Sequence, residues 1–454
     1  VRTPFLAKSI AMAAKDIGLC ELVLMDTNEE KLYRYGKIAA RIASLCCPGL
    51  SVLLTGDPKE ALSGADFIIT TIRAGGDEGR AYDERTAINH GVLGQETVGA
   101  GGFAMALRSI PVLTRYCALA QNYAKPGAPV FNFTNPSGLV TQALRRQGFS
   151  TVYGVCDAPS GFFRQLHRLI NQPGSVFDAR CYGLNHLSWF DRFTLNGKDV
   201  TKDIAAHPKL YSETELRLFD PELVRIGGGI FPNEYLYFYY YPEKSKAAIS
   251  GARTTRAELI LHTNADMDAA LSSIDIDREF ETAFQCYMYH YNQRENSYFK
   301  VESGLLRPEQ AEVPSVEEFV RSPDRGGYAA VALRFIRALR ENKPARMVLN
   351  VPNEGAIRGL ENADVVEISC TVGREGVARD FIGDVPAMQM SLIQSVKTFE
   401  NLAAQAILEK SFDKAVRALT VHPLIASYPT AYSLAKAYIA HYGDYVGRWT
   451  IHPA

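Results

Sequence analysis

Five short apolar runs in the first 155 residues each lead into a helix-like segment, and this alternation is what most constrains the fold. The runs are Glu21–Met25, Ser51–Leu54, Ala65–Ile72, Pro129–Thr134 and the strand that starts at Thr151. Helices are expected over 3–19, from a Thr27 cap to about 44, over 57–62, up to about 90, from about 103 to 123, and between the last two strands. Apolar strands alternating with helices require βαβ crossovers and predict a doubly wound parallel sheet of Rossmann type. In such sheets the chemistry gathers at the strand carboxyl ends. The last unit, Thr151–Ile170 (TVYGVCDAPSGFFRQLHRLI), puts Cys156, Asp157 and Pro159 at one of these corners.

After about residue 175 the pattern becomes α+β. Strands are expected at 179–181, 189–195, 347–351 and 365–371, and long helices over 256–271, 325–341 and 386–411. We therefore expect a doubly wound domain of nucleotide-binding type over 1–175 and a C-terminal α+β domain over 176–454. A mobile loop is expected over 311–325. The 454 residues are too many for one ordinary core. With a net charge of −1, nothing global argues for nucleic acid. No apolar run reaches the roughly 20 residues that span a bilayer. The eight cysteines are scattered without a CxxC pair, which fits reduced thiols in the cytoplasm.

Individual residues carry weaker signals. Asp26 ends the second strand of the expected nucleotide-binding unit, where a carboxylate accepts both hydroxyls of an adenosine ribose; a helix cap or turn carboxylate is the alternative. Gly94–Phe103 (GQETVGAGGF) opens a helix, and its backbone amides suit an anion or a close substrate, or simply a turn. Cys156 and His186 pair a thiolate with an imidazole, a set that suits a divalent transition metal with open positions. From spacing alone, a buried thiol and a core histidine are the plainer reading. Asp157 sits where a helix cap would be. Tyr235 is one of five tyrosines in seven residues, a stripe expected in a core. Arg256, alone, is a surface cation that begins a helix.

Several stretches together resemble glycoside hydrolase family 4, the NAD- and metal-dependent glycosidases with a lactate/malate dehydrogenase-like fold. They are RAGGDEGRAYDERTAINHGVLGQETVGAGGFAMALRSIPVL at 73–113, FNFTNPSG at 131–138, GVCDAP at 154–159, GLNHLSW at 183–189, PNEYLYFYY at 232–240 and NVPNEGAIRGLENADVVEISC at 350–370. The resemblance implies oxidation of the sugar C3 hydroxyl by NAD⁺, loss of the C2 proton, elimination at C1, addition of water and reduction of C3 again. That route differs from the two-carboxylate chemistry of most glycosidases.

By that resemblance, Cys156 and His186 match the ligands of Mn²⁺ or another divalent metal, and Tyr235 the C2 base. Asp157 matches the acid that protonates the leaving oxygen. Asp26, Arg73 and Asn135 match cofactor contacts, and Arg80, Asn135, Asn185 and Arg256 substrate contacts, with Arg256 at the 6-phosphate. Family members cleaving 6-phospho-α-glucosides carry Cys-Asp-Met-Pro, and the 6-phospho-β group resembles Cys-Asn-Val-Pro. Here the motif is Cys156-Asp157-Ala158-Pro159, which favours the phospho-α group with Ala158 as a departure. The implied protein is a cytoplasmic 6-phospho-glycosidase, α favoured and β a close second, acting on a small phosphoglycoside as a homodimer or homotetramer. It has no nucleic-acid or membrane partner. An unphosphorylated α-glycosidase or α-galacturonidase and a 2-hydroxy-acid dehydrogenase are the alternatives. Two further departures are Glu234 beside the expected base, and a glycine-rich dinucleotide loop that would precede Thr3-Pro4 and is not in the sequence; truncation is the expectation for the latter.

Overall fold

The computed structural model describes residues 2–170, 172, 174–298, 300–303, 312–324 and 328–450. The strands, in chain order, are β1 (Glu21–Met25), β2 (Ser51–Thr55), β3 (Ile68–Thr70), β4 (Val130–Asn132), β5 (Val152–Gly154), β6 (Phe177–Leu184), β7 (Leu187–Leu195), β8 (Lys198–Asp199), β9 (Phe231–Pro232), β10 (Ala345–Pro352), β11 (Val365–Gly373) and β12 (Gly376–Arg379). Strands β3, β4 and β5 are parallel, as the alternation predicts. Their sheet does not stop at residue 175. It runs β12-β11-β10-β5-β4-β3, with β10 antiparallel to β5 at the Asn350–Gly154 pair. A Cβ at Gly154 would lie 2.6 Å from both the Asn350 Cβ and the Thr141 Oγ1, so only glycine lets β10 and the Ser137–Arg146 helix close on this strand.

Strands β1 and β2 form their own parallel pair. Strands β6 to β9 form an antiparallel sheet. It is stapled to β11 where Ser369 Oγ receives the Cys181 N–H and donates to the Ala179 carbonyl. Phe162, Trp189, Phe190, Phe193 and Phe231 fill the space where β7 and the Ala158–Ile170 helix meet. Burying an aromatic of this size contributes roughly 2–3 kcal/mol. A second core lies under the Gly99–Tyr123 helix, against Ala387–Glu409 and the helices that follow.

Four local expectations change. The first long helix after β1 is capped by Asn28, not Thr27: its side chain accepts the Lys31 N–H at 2.9 Å. Ala65–Ile72 shortens to Ile68–Thr70, and Ile68 and Ile69 are half-buried because β3 ends its sheet. The helix expected from about 103 starts at Gly99, since the glycines are its first turn. Most of 311–325 is ordered: Val316–Arg321 is a helix with a reciprocal Ser315–Glu318 capping box. Residues 311 and 325 lie outside the described residues. No described helix is long and apolar enough to cross a membrane.

Candidate active site

Cys156 follows β5 by two residues and precedes the Ala158–Ile170 helix. The β6–β7 hairpin turns in the two residues Asn185 and His186, and His186 adopts a left-handed φ of 61°. That conformation is uncommon outside glycine and costs energy that the surrounding packing must supply. The turn carries the imidazole over the β5 corner, where His186 Nε2 lies 3.6 Å from Cys156 Sγ. His186 is buried, and burial lowers its pKa to about 3, so the ring is neutral with a lone pair available. Burial pushes the Cys156 thiol well up, assisted by the carboxylates of Glu367 and Asp157. Burial likewise raises the Asp157 carboxyl, against the opposing field of Arg2.

These two donors fit a divalent metal. A thiolate and an imidazole nitrogen on one tetrahedral ion, at about 2.3 and 2.0 Å, lie roughly 3.5 Å apart. A bound cation also reverses the preference for the neutral thiol. Among the described residues no group of three or more His, Cys, Asp or Glu is placed to hold a metal, and the pair would offer such an ion two donors.

Tyr235 stacks on His186, with ring centroids 3.8 Å apart and planes 13° from parallel. Its backbone is fixed by the Asn233 side chain, which accepts the Tyr235 N–H at 3.0 Å, just after β9 pairs with β7. The rest of the tyrosine stripe does pack, as expected; Tyr237 belongs to the main core cluster, and the partly buried Tyr239, Tyr240 and Tyr241 pack against it. Tyr298, which has no sequence signal, brings its hydroxyl to 3.2 Å from that of Tyr235.

Behind the pair lies a further buried carboxyl. Glu367, on β11, accepts from Asn185 Nδ2 at 3.1 Å and Ser188 Oγ at 2.8 Å, with Asn350 Nδ2 at 3.4 Å. Asn185 in turn accepts the Gly138 N–H, tying the hairpin turn to the Asn135-Pro136-Ser137-Gly138 corner. Burial pushes the Glu367 carboxyl from 4.5 up to about 7, against these hydrogen bonds. The folded state therefore holds this proton more tightly than the unfolded chain. Its contribution is complete below about pH 4.5 and is lost as pH rises through about 7. On the order of 3 kcal/mol is at stake. The urea midpoint of the metal-free protein is expected to fall over that window, and Glu367→Gln to flatten the fall. An equally steep fall in the variant would show that Glu367 does not carry it.

The expected substrate and cofactor residues divide into paired and open groups. Arg73 is ion-paired with Glu96 and lies 3.6 Å from Asp77. Arg80 is buried and bonded at 2.9 Å to both Glu84 and Glu96. Two guanidinium groups hold Glu96 ionised despite its burial. Arg256 is also buried; among the described residues its Nε has no hydrogen-bond partner, and its guanidinium lies 4.7 Å from the Tyr298 ring centroid. Asn135 is half-buried at the carboxyl end of β4, followed by the cis Pro136 bond. Asp26 is exposed beyond β1, with one oxygen receiving the Asn28 N–H at 2.9 Å. It thus closes a local turn and keeps an exposed carboxylate, which fits a ribose partner.

The Gly94–Phe103 stretch is not an open anion cradle. Gln95 Oε1 takes the Thr97 and Val98 amides at 2.6 and 3.0 Å. A Cβ at Gly101 would lie 2.1 Å from the Gln95 carbonyl. The glycines serve close backbone packing that turns Glu96 toward Arg73 and Arg80. Arg108, in the same block, is wholly buried and bonds Asp83 and the Ala74 carbonyl, which supports the Arg73 loop and the Gly76–Asn89 helix bearing Arg80 from beneath.

Two family models match the chain: family 4 glycosyl hydrolase over residues 5–172, and the family 4 glycosyl hydrolase C-terminal domain over residues 181–425. The chain is 27% identical over 451 residues to 6-phospho-beta-glucosidase BglT of Thermotoga maritima, covering 98% of this chain and 96% of that protein. It is 26% identical over 451 residues to phospho-alpha-glucosidase PagL of Clostridium acetobutylicum, covering 96% and 94%. A crystal structure of a 6-phospho-alpha-glucosidase from gut microorganisms, in complex with NAD and Mn²⁺, superposes with a TM-score of 0.79 at 26% identity, covering 99% of this chain and 97% of that one.

Proposed function

From the premise that this chain belongs to family 4 of the glycosyl hydrolases, we propose that it is an NAD⁺- and Mn²⁺-dependent 6-phospho-glucosidase. The observation that carries the reading is the buried corner where Cys156 and His186 stand 3.6 Å apart with Tyr235 stacked on the histidine and Asp157 next in sequence. The relatives include proteins named 6-phospho-alpha-glucosidase and 6-phospho-beta-glucosidase. Asp157 favours the α-linked substrate. Family membership sets aside the 2-hydroxy-acid dehydrogenase alternative.

When bound, NAD⁺ supplies a hydride acceptor for the sugar C3, and a divalent ion supplies Lewis acidity at the C2 and C3 oxygens. Cys156 and His186 would hold the ion, and Asp26, Arg73 and Asn135 would contact the dinucleotide. Tyr235 takes the C2 proton once C3 is oxidised. The C2–H electron pair becomes the C1–C2 double bond as the C1–O bond breaks. Asp157, a carboxyl that burial keeps protonated to higher pH, gives its proton to the departing oxygen. Arg80, Asn135 and Asn185 orient the sugar, and Arg256 takes the 6-phosphate with its unpaired Nε. Water then adds at C1 and C3 is reduced again, so no NADH accumulates.

We also place the domain division near residue 175, and read the protein as a cytoplasmic homo-oligomer; its eight cysteines are free. One observation favours the unphosphorylated alternative. Arg256 shares its surroundings with the acidic side chains of Glu96 and Glu302, which act on its guanidinium at a distance and would disfavour a phosphate there. A panel of aryl α- and β-glycosides, with and without 6-phosphate, assayed with NAD⁺, Mn²⁺ and a reductant, separates the two. Turnover is expected only with the phosphorylated sugars, the α-anomer faster. Preference for the unphosphorylated sugars would overturn the phosphate assignment, and preference for the β-anomer would overturn the role given to Asp157.

A further inference from the structure

Glu234, Tyr235 and Tyr298 form a hydrogen-bonded row in the buried wall of the site. Tyr298 donates its hydroxyl proton to Glu234 Oε1 at 2.6 Å, and its oxygen lies 3.2 Å from the Tyr235 hydroxyl. Both distances are those of real bonds, and the shorter is charge-assisted. A phenol has one proton. With that of Tyr298 committed to the carboxylate, Tyr298 meets Tyr235 as an acceptor, so the row runs in one direction: Tyr235 donates to Tyr298, and Tyr298 donates to Glu234. Glu234 is 4% exposed, so its bond to Tyr298 meets little competing water.

Resting on the reading of Tyr235 as the C2 base, we infer that Tyr298 and Glu234 are positioning residues that aim the Tyr235 hydroxyl. They turn its proton inward, and that proton leaves along the row, from Tyr235 to Tyr298 as that of Tyr298 passes to Glu234, so that the freed Tyr235 oxygen can take the proton from C2. Three independent restraints then meet on Tyr235: His186 stacks on the ring face, Asn233 receives the backbone N–H, and Tyr298 holds the hydroxyl. A phenol rotates about its Cβ–Cγ axis at little cost, yet rotation moves the hydroxyl hydrogen-bond direction only when no partner fixes it. The row supplies that partner. Arg256 stands over the Tyr298 ring, so the residue assigned to the substrate phosphate abuts the anchor of the base. The Pro-Asn-Glu-Tyr motif, a departure at the sequence level, thereby gains a reason: Glu234 lies one residue before the phenol it orients and reaches it through Tyr298.

The test follows exchange of the C2 proton with D₂O in Tyr298→Phe, Glu234→Gln, Tyr235→Phe and the Tyr235→Phe/Tyr298→Phe double variant. Tyr298→Phe keeps the ring and removes both hydroxyl bonds. The exchange rate is expected to fall roughly 10- to 100-fold, the worth of one charge-assisted hydrogen bond, with KM unchanged. Glu234→Gln retains an oxygen acceptor and is expected to lose less; it also reports should Tyr298→Phe fold poorly. In the Tyr235→Phe background, Tyr298→Phe is expected to cost nothing further, because its effect passes through the hydroxyl already removed. Normal exchange in both Tyr298→Phe and Glu234→Gln, or an undiminished loss in the double variant, would overturn the inference while leaving Tyr235 as base. Normal exchange in Tyr235→Phe would instead remove the base assignment itself.

Discussion

Cys156→Ser is expected to reduce Mn²⁺-dependent turnover by at least about 10³-fold, the several kcal/mol that a positioned Lewis acid contributes. The substitution is nearly isosteric, so the strand end, the Ala158–Ile170 helix and the stacked His186–Tyr235 pair remain. What is lost is the soft ligand. A serine hydroxyl does not ionise at neutral pH, and His186 is left as the single protein donor of the pair. Calorimetric titration with Mn²⁺ is expected to show binding weakened in step with turnover. Retained turnover with an ordinary Mn²⁺ dependence would remove Cys156 from the metal site. The prediction gains force from the geometry: the 3.6 Å separation suits two ligands of one ion, and burial keeps the imidazole unprotonated.

Tyr235→Phe has the second large effect. Loss of a general base is worth roughly 10²–10⁴-fold, and here it is expected to fall on C2 proton exchange. Oxidation at C3 precedes the step in which the hydroxyl acts. A single turnover with substrate and NAD⁺ is therefore expected to show NADH forming and then persisting, because elimination stalls. Mn²⁺ affinity is expected to hold, since the phenyl ring still stacks on His186. In the protein alone, burial and the neighbouring Glu234 push the Tyr235 phenol well above its usual range. An adjacent cation acts in the opposite direction. The base is thus expected to work only with metal present, and the two variants to converge on one defect in exchange. Rapid exchange in Tyr235→Phe would contradict the assignment.

The alternating apolar runs predicted β3, β4 and β5 and their parallel order, because period and punctuation are local properties. They did not predict that β10 would extend the same sheet. That pairing depends on Gly154 leaving room for Asn350, a contact between residues nearly 200 apart in sequence. Cys156 and His186 were legible as chemistry only through the resemblance; spacing alone favoured a buried thiol and a core histidine. Glu367 carried a signal that was passed over, a carboxylate in the middle of the apolar run Val365–Cys370. Tyr298 carried none, since nothing near it in sequence distinguishes it from the tyrosines that merely pack. The glycines at 99–102 admit both readings from sequence for a general reason: tight backbone contact and ligand contact call for the same residue.

The central claim is that the bond is broken by oxidation and elimination, with NAD⁺ recycled within each turnover. Hydrolysis of an aryl 6-phospho-α-glucoside in D₂O, with NAD⁺ and Mn²⁺, tests it most directly through the hydrogen at C2 of the released sugar. The account predicts deuterium at C2 with no net accumulation of NADH. Release of the aglycone with C2 still fully protiated would contradict it.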